Sequence, residues 1–265
     1  GVVAAGCATT TPYVGQGPHP QISRGQPVPP IDFLGNVLGL PAKLVLWSWK
    51  MDNHAIAQST EDVLIAYLDA PRHPAVLKDA HFRLNEYRPV DDLKRLWKNR
   101  HVAWPFRLLL GLPTTLVFEV LLPGRLLGGD HYNPFNNTVY LYSDEPSVAL
   151  HEAGHAADFA GQRLKGVYAT MRFLPGVDLF QEYAATEDAL HHFVLTKDRQ
   201  GELRAYRLLY PAYGTYLGSY LIPYGNFAGA LVGHVWGRLK ASHRARFYRL
   251  TEGSTGSPQP ATSSP

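Results

Sequence analysis

The sequence predicts an α+β fold in which helices predominate. Three observations support this class: apolar residues recur at helical spacing in most segments, one segment has the composition of a strand, and the chain is long enough for one large core. Of its 265 residues, 45% are hydrophobic and 18% are charged, so the chain is not of the disordered class. A net charge of +3 gives no indication of nucleic-acid binding, and the single cysteine excludes disulfides within the chain.

The amino terminus predicts a lipid anchor. Cys7 follows a short run of apolar and small residues at positions 2–6, and this arrangement resembles the lipobox of bacterial lipoproteins. In such a protein the signal peptide is cut before the cysteine, which is then acylated. The resemblance implies a chain that is tethered through Cys7 to the bacterial cell envelope and faces the periplasm or another extracytoplasmic space. An ordinary terminal segment with a chance cysteine is the alternative.

Both ends of the chain have the composition of flexible segments. Residues 8–30 are rich in Thr, Gly, Pro and Gln and lack apolar periodicity, so residues 1–30 are predicted to be an anchor followed by a tether. Residues 251–265 are rich in Ser, Thr, Pro and Gly and are predicted to be a disordered tail. The folded domain is therefore expected over residues 31–250.

The first part of this domain predicts short helices and a strand. Residues 31–48 predict an apolar helix that is interrupted near Pro41, residues 80–87 a short strand, and residues 89–99 a helix.

A strongly apolar run follows at residues 102–128. It contains three charged residues, and Pro113 and Pro123 divide it into pieces that are shorter than a membrane span. We therefore expect buried helices here.

The middle of the chain predicts a strand followed by two helices. Residues 130–137 have turn chemistry, to which we assign His131, and Thr138–Tyr142 has the β-branched and aromatic composition of a strand. The sequence Ser-Asp-Glu-Pro then begins a helix that ends at Gly161. A second helix is predicted over residues 178–195.

The first of these two helices carries the motif that indicates chemistry. Residues 151–155 read His-Glu-Ala-Gly-His, an H-E-x-x-H pattern. Histidines four residues apart share one face of a helix, so both imidazoles can reach one tetrahedral zinc ion, with Glu152 beside them as a base for water. The sequence therefore predicts one Zn²⁺ per chain, bound in part by His151 and His155. A core helix with a buried histidine pair is the alternative.

The motif and the strand before it resemble the zincin metallopeptidases. In that superfamily an edge strand precedes the active helix and pairs with an extended substrate. The resemblance implies a zincin-like domain with Glu152 as the catalytic base, and it implies that Val139, Tyr140 and Leu141 bind a peptide or protein substrate. It covers about residues 130–195, less than a third of the chain.

The third zinc ligand follows from the same resemblance. Metzincins place a third histidine shortly after the motif, which this chain lacks, whereas gluzincins supply a glutamate from a later helix in patterns such as E-x-x-A-D. Residues 180–188 look like that segment, and the resemblance implies that Glu182 is the ligand. Thr186 stands where the family pattern has an acid, so Thr186, Glu187 or Asp158 is expected to orient a ligand histidine.

Zincins often add a Tyr, His or Arg that stabilises the tetrahedral oxyanion. The sequence offers five candidates for this role and does not choose among them. They are Tyr183, His191, His192, Tyr213 and Tyr216.

Residues 209–239 contain glycines at intervals of four, a spacing that lets helices pack closely. Two interpretations remain open. We favour a pair of tightly packed helices within the domain, because Pro223 divides the segment into pieces too short for a span. The other is a membrane-inserting hairpin with a basic flank.

The sequence as a whole predicts a zinc-dependent hydrolase, acting on peptides, that is tethered to a membrane of the bacterial envelope. One alternative is a lipoprotein whose zinc site is structural or degenerate and which acts as a binding or scaffold protein through its glycine-spaced helices. Another is a membrane-inserting protein without hydrolase activity.

Overall fold

The computed structural model describes residues 18–73, 75–221 and 223–254. Helices predominate in these residues and surround a small mixed sheet of four strands, which confirms the predicted α+β, mainly α class. Cys7, and with it the predicted lipid anchor, lies outside the described residues.

The first part of the described chain alternates strands with short helices. Its elements are β1 (Ile22–Arg24), α1 (Pro29–Leu38), α2 (Leu40–Leu46), α3 (Gln58–Leu68), a 3₁₀ turn (Ala75–Asp79), β2 (His81–Leu84) and α4 (Pro89–Lys98).

The predicted tether is wrong for its described part, residues 18–30. Ile22–Arg24 is a strand that pairs in parallel with β2, and α1 already begins at Pro29. The Arg24 guanidinium is buried and binds the Glu61 carboxylate of α3. A strand of three residues is too short to show an apolar period, which is why the sequence gave no sign of it.

The second part of the described chain is mostly helical. A continuous helix over Trp104–Leu121 consists of α5 (Trp104–Phe106), a π-helical stretch (Arg107–Gly111), α6 (Leu112–Thr115) and a second π-helical stretch (Leu116–Leu121). After it come α7 (Gly124–Leu127), β3 (His131–Asn133), β4 (Thr138–Leu141), α8 (Pro146–Gly161), α9 (Lys165–Met171), α10 (Asp178–Leu195), α11 (Arg199–Leu221) and α12 (Gly225–Ser254). The first residues of the predicted tail therefore belong to α12, and residues 255–265 lie outside the described residues.

The sheet has the order β1-β2-β4-β3. β1, β2 and β4 are parallel, whereas β3 is antiparallel to β4, with His131 opposite Tyr140 and Asn133 opposite Thr138. Two predictions are wrong here: Thr138–Tyr142 is not an edge strand, and His131 belongs to a strand rather than to a turn. Phe82, Val139 and Leu150 are fully buried in the core where the sheet meets α3 and α8.

The helix at residues 104–121 is not buried, contrary to our expectation. It continues through Pro113 because the preceding turns are π-helical and the Thr114 hydroxyl donates to the carbonyls of Leu110 and Gly111. Among the described helices it alone is long and apolar enough to cross a membrane, with a mean hydropathy of 1.3 over 18 residues, of which 17% are buried. Length and composition by themselves are weak indications of a membrane.

The glycine-spaced segment forms the hairpin of α11 and α12, which pack closely along their length. A methyl group on Gly229 would lie 1.9 Å from the carbonyl oxygen of Gly214, and one on Gly218 would lie 2.0 Å from that of Gly225. The backbones therefore touch, as the interpretation of two tightly packed helices requires.

Replacing Gly229 with alanine is expected to lower the free energy of unfolding by about 1–3 kcal/mol, because the added methyl group forces α11 and α12 apart. Urea unfolding followed by circular dichroism measures this change. Gly161→Ala is the control, because no atom lies within 4 Å of the position that its methyl group would take. Unchanged stability of Gly229→Ala would contradict such close packing.

Candidate metal centre

α8 presents both motif histidines on one face. Pro146 occupies the first turn of this helix, and the buried carboxylate of Glu145 just before it accepts hydrogen bonds from Ser48 and, at 2.8 Å, from Arg204 of α11. The helix start is therefore fixed to its neighbours. The rings of His151 and His155 follow one turn apart, with their centroids separated by 4.7 Å.

A glycine inside the motif lets a second helix come close to these rings. A Cβ atom on Gly154 would lie 3.0 Å from both the Cα and the carbonyl oxygen of Ala185 in α10. Few real Cβ contacts are that short, so a larger residue would push α10 away. The contact brings the ligand-bearing turn of α10 beside the histidines.

Glu182 of α10 lies between the two imidazoles. Its Oε2 is 3.0 Å from Nε2 of His151, and its Oε1 is 3.3 Å from Nε2 of His155. The three side chains offer one ligand atom each, and these atoms all lie within 4.8 Å of one another. The structure thus brings together the three residues that the sequence proposed as ligands.

The electrostatics keep Glu182 ionised. Burial raises its pKa, but the electrostatic interaction with His155 and the hydrogen bond from His151 outweigh burial and hold the pKa well below its ordinary value. Burial likewise lowers the pKa of His151, whereas its hydrogen bond with Glu182 raises it above the ordinary value. Glu182 is therefore a carboxylate, the form that binds metal.

Of the three residues expected to orient a ligand histidine, one contacts an imidazole. The Thr186 hydroxyl lies 3.3 Å from Nδ1 of His151. Asp158 instead binds the Tyr168 hydroxyl and the Gln162 amide, and no described contact joins the exposed Glu187 to either ring. The described contacts therefore do not support the expectation for Asp158, which is bonded to other partners, or for Glu187, which is exposed.

Two buried atoms of this group lack a hydrogen-bond partner among the described residues. They are Nε2 of His155, whose described contact is the 3.3 Å ion pair with Glu182, and Oε2 of Glu152. A buried nitrogen or oxygen without a hydrogen bond is costly unless something else binds it. Two imidazole nitrogens and a carboxylate oxygen are a donor set that zinc accepts, so the residues fit a zinc ion.

Two further residues lie near the group: Arg172, which the sequence did not single out, and His131, which the sequence assigned to a turn. Arg172, next to the end of α9, donates from Nη2 to Oε1 of Glu182 at 3.1 Å. His131 lies on β3, where its Nε2 is 3.1 Å from Oε1 of Glu119. Burial lowers the pKa of His131, but the hydrogen bond to Glu119 raises it to about 9. A lone arginine or histidine outside a motif gives no sequence signal, because only tertiary packing places it.

The five residues considered for stabilising an oxyanion lie in different parts of the structure. The charge of Glu182, burial and the charge of Glu152 raise the pKa of Tyr216, which is 39% exposed. His192 is buried beside Tyr67, and His191 is exposed. Tyr183 and Tyr213 line the apolar groove between α10 and the hairpin.

The predicted substrate strand is wrong. Val139, Tyr140 and Leu141 are buried, and β4 is bonded to β2 on one side and to β3 on the other. Its backbone groups are therefore already paired. In the described sheet β1 and β3 each have a partner strand on one side only, and β3 is the one of the two that packs against α8.

Comparisons with protein-family models, with curated proteins and with solved structures find no match.

Replacing Glu182 with alanine is expected to remove most of the bound zinc, because two imidazoles alone leave the ion without a charged ligand. Zinc per chain is measured by atomic emission after dialysis of purified protein. Glu187→Ala, on the exposed side of the same helix, is expected to keep its zinc. The reverse pattern would assign the ligand role to Glu187.

The His131–Glu119 pair is expected to make stability fall as the pH rises. The pKa of His131 is raised in the folded protein from 6.5 to about 9, so the pair stabilises fully below pH 6.5 and its contribution is lost as the pH passes 9. Urea unfolding across this range should show a steeper decline for the wild type than for His131→Gln. Parallel curves would mean that the pair contributes nothing.

Proposed function

We propose that the protein is a zinc-dependent hydrolase that cleaves peptide bonds, with His151, His155 and Glu182 as zinc ligands. The observation that carries the proposal is the convergence of these side chains beside a buried carboxylate, Glu152, whose Oε2 has no described partner. Zinc in such a site supplies Lewis acidity, which polarises a carbonyl and makes water a nucleophile at neutral pH.

Glu152 is the general base in this proposal. It precedes Ala153 on the ligand helix and is buried close to both histidines, so its free oxygen can accept a proton from the attacking water. The same carboxyl group then delivers that proton to the leaving amine. Burial limits competing water, which favours transfer between these two positions.

Tyr216 is the residue that we assign to the developing oxyanion. The carboxylates of Glu182 and Glu152 raise its pKa, and a phenol is a hydrogen-bond donor at neutral pH. His131 is less suited, because Gly129 and Glu119 already bind both of its ring nitrogens. We assign His131 to holding β3 in place.

The substrate in this proposal is an extended peptide that pairs with the open side of β3. Backbone pairing with a sheet edge aligns a peptide independently of its side chains. We further propose that acylated Cys7 tethers the enzyme to the bacterial envelope, as the lipobox-like sequence implies.

The Glu152→Gln variant tests the mechanism. It is expected to keep stoichiometric zinc and to lose at least about a thousandfold in turnover, because the amide cannot accept the proton from water. Cleavage of a peptide library is followed by mass spectrometry, with a chelator as the zinc control. Glu187→Gln is the matched control and should cleave as the wild type does.

Two outcomes would overturn the proposal. Unchanged turnover of Glu152→Gln would remove Glu152 from the mechanism. A wild-type protein that binds zinc but cleaves no peptide would support the alternative of a structural or degenerate site in a binding protein.

A further inference from the structure

The segment at residues 104–122 exposes its apolar side chains and turns its charged side chains toward the protein, the reverse of an ordinary surface helix. Every exposed residue between these positions is apolar, and Leu109 and Leu121 are the most exposed. The charged side chains point inward instead. Glu119 is buried against His131 and Asn133, and Arg107 donates to backbone carbonyls of α4. In a water-soluble helix the exposed face would be polar.

The segment at residues 27–49, which includes α1 and α2, shows the same reversal. All of its exposed residues are apolar, among them Phe33 and Trp49, each 70% exposed. The two charged residues of this segment form ion pairs or hydrogen bonds with other residues of the protein. Asp32 binds Arg125, and Lys43 is buried where its ammonium donates to the carbonyls of Asn36 and Asp52.

The described part of residues 216–239, at the end of the hairpin, exposes no charged side chain. Leu231, Val232 and Val235 are 58%, 69% and 61% exposed. Residues 164–180 around α9 repeat the pattern, because all of their exposed residues are apolar while Arg172 and Asp178 bind protein partners. By contrast, α3 exposes Gln58, Ser59 and Asp62, as ordinary surface helices do, and α4 exposes Lys94 and Lys98 beside Val90 and Trp97.

Contacts join the four segments into one surface. The ring of Trp47 stacks on that of His234 with 3.9 Å between the ring centroids, and the Tyr220 hydroxyl donates a hydrogen bond to the Asp178 carboxylate. Phe106 packs against Gly166 of α9. We call the exposed residues of 27–49, 104–122, 164–180 and 216–239 the apolar surface. Four separate elements that all turn their charges inward are not explained by chance exposure of single residues.

Charge at the border of the apolar surface indicates its partner. α12 continues from the surface into exposed Lys240, Arg246 and Arg249, and its sequence contains no acid from residue 225 to residue 251. Cations next to an apolar insertion match the anionic headgroups of a bilayer. Tryptophans at positions 47, 49, 104 and 236 are of the type that concentrates at a membrane interface.

We infer that the apolar surface inserts into one leaflet of a lipid bilayer that contains anionic lipid, independently of any anchor at Cys7. The uncharged parts of the hairpin helices, residues 208–221 of α11 and 225–237 of α12, are each shorter than the roughly 20 residues that a helical span needs. The helix at 104–121 is tied to the core through Glu119 and Arg107. For both reasons we expect the apolar surface to insert into the bilayer from one side rather than to cross it.

Vesicle flotation of the full chain with Cys7→Ser tests this inference, since that variant cannot be acylated. The protein is expected to float with vesicles of phosphatidylcholine and phosphatidylglycerol. Binding to vesicles of phosphatidylcholine alone should be weaker. Added salt should reduce only the extra binding that phosphatidylglycerol provides. Absence of flotation with either vesicle would overturn the inference.

A matched pair of variants separates the apolar surface from general hydrophobicity. Leu231→Ser with Val235→Ser is expected to weaken vesicle binding by about tenfold for each side chain. The control is Val194→Ser with Leu195→Ser, which changes the same residue types at exposed positions beside Thr196 and Lys197. The control should bind as its parent does, and equal losses in both variants would overturn the inference.

Replacing Lys240, Arg246 and Arg249 with glutamine is expected to reduce binding to the anionic vesicles by on the order of tenfold or more, without changing binding to phosphatidylcholine. Circular dichroism checks that each variant is folded. A second copy of the chain could cover the apolar surface instead of lipid, and sedimentation velocity without lipid tests this. If the wild type is a dimer and the variant Leu231→Ser with Val235→Ser is a monomer, the surface is a dimer interface and the inference of lipid binding is overturned.

Discussion

The candidate site depends on one close contact between two helices. Gly154 of α8 lies against the backbone of Ala185 in α10, so the helix axes approach more closely than side chains would normally allow. Glu182 is three residues before Ala185 and therefore lies one turn away, level with the histidines. Because the carboxylate reaches both His151 and His155, any widening of this contact weakens both interactions together. The glycine in the motif is thus as important for the geometry as the ligands are.

Several charged side chains elsewhere in the protein are buried and paired with a partner on another element. Glu145 and Glu202 are fully buried and are paired with arginines of α11 and α12, and Glu119 is buried against His131. Breaking a buried pair of this kind is more costly than removing a surface pair, because the remaining charge has no water around it. Many charged side chains of this chain therefore form pairs that connect helices to one another. A large share of the outer surface consists of apolar side chains.

The sequence was sufficient for the parts that depend on local pattern. α10 begins and ends where its spacing predicted, and Glu182 was found through a resemblance that rests on its neighbours. It was not sufficient where tertiary contacts decide. β3 has three residues, too few to show a period, and Arg172 has no motif around it. For the helix at residues 104–121, the apolar composition was read correctly, but composition does not say whether a helix faces the core or the outside.

If a peptide pairs with β3 as we propose, the length of this strand limits how much of the peptide is recognised. A strand of three residues extends for about 10 Å, enough to align roughly three residues of a bound chain. Since the side chains of a paired peptide alternate in direction, one or two of them would face the protein. Sequence selectivity along such a short strand is necessarily low. Discrimination among substrates would then depend on where they are encountered and on whether they can unfold locally, rather than on a long recognition motif.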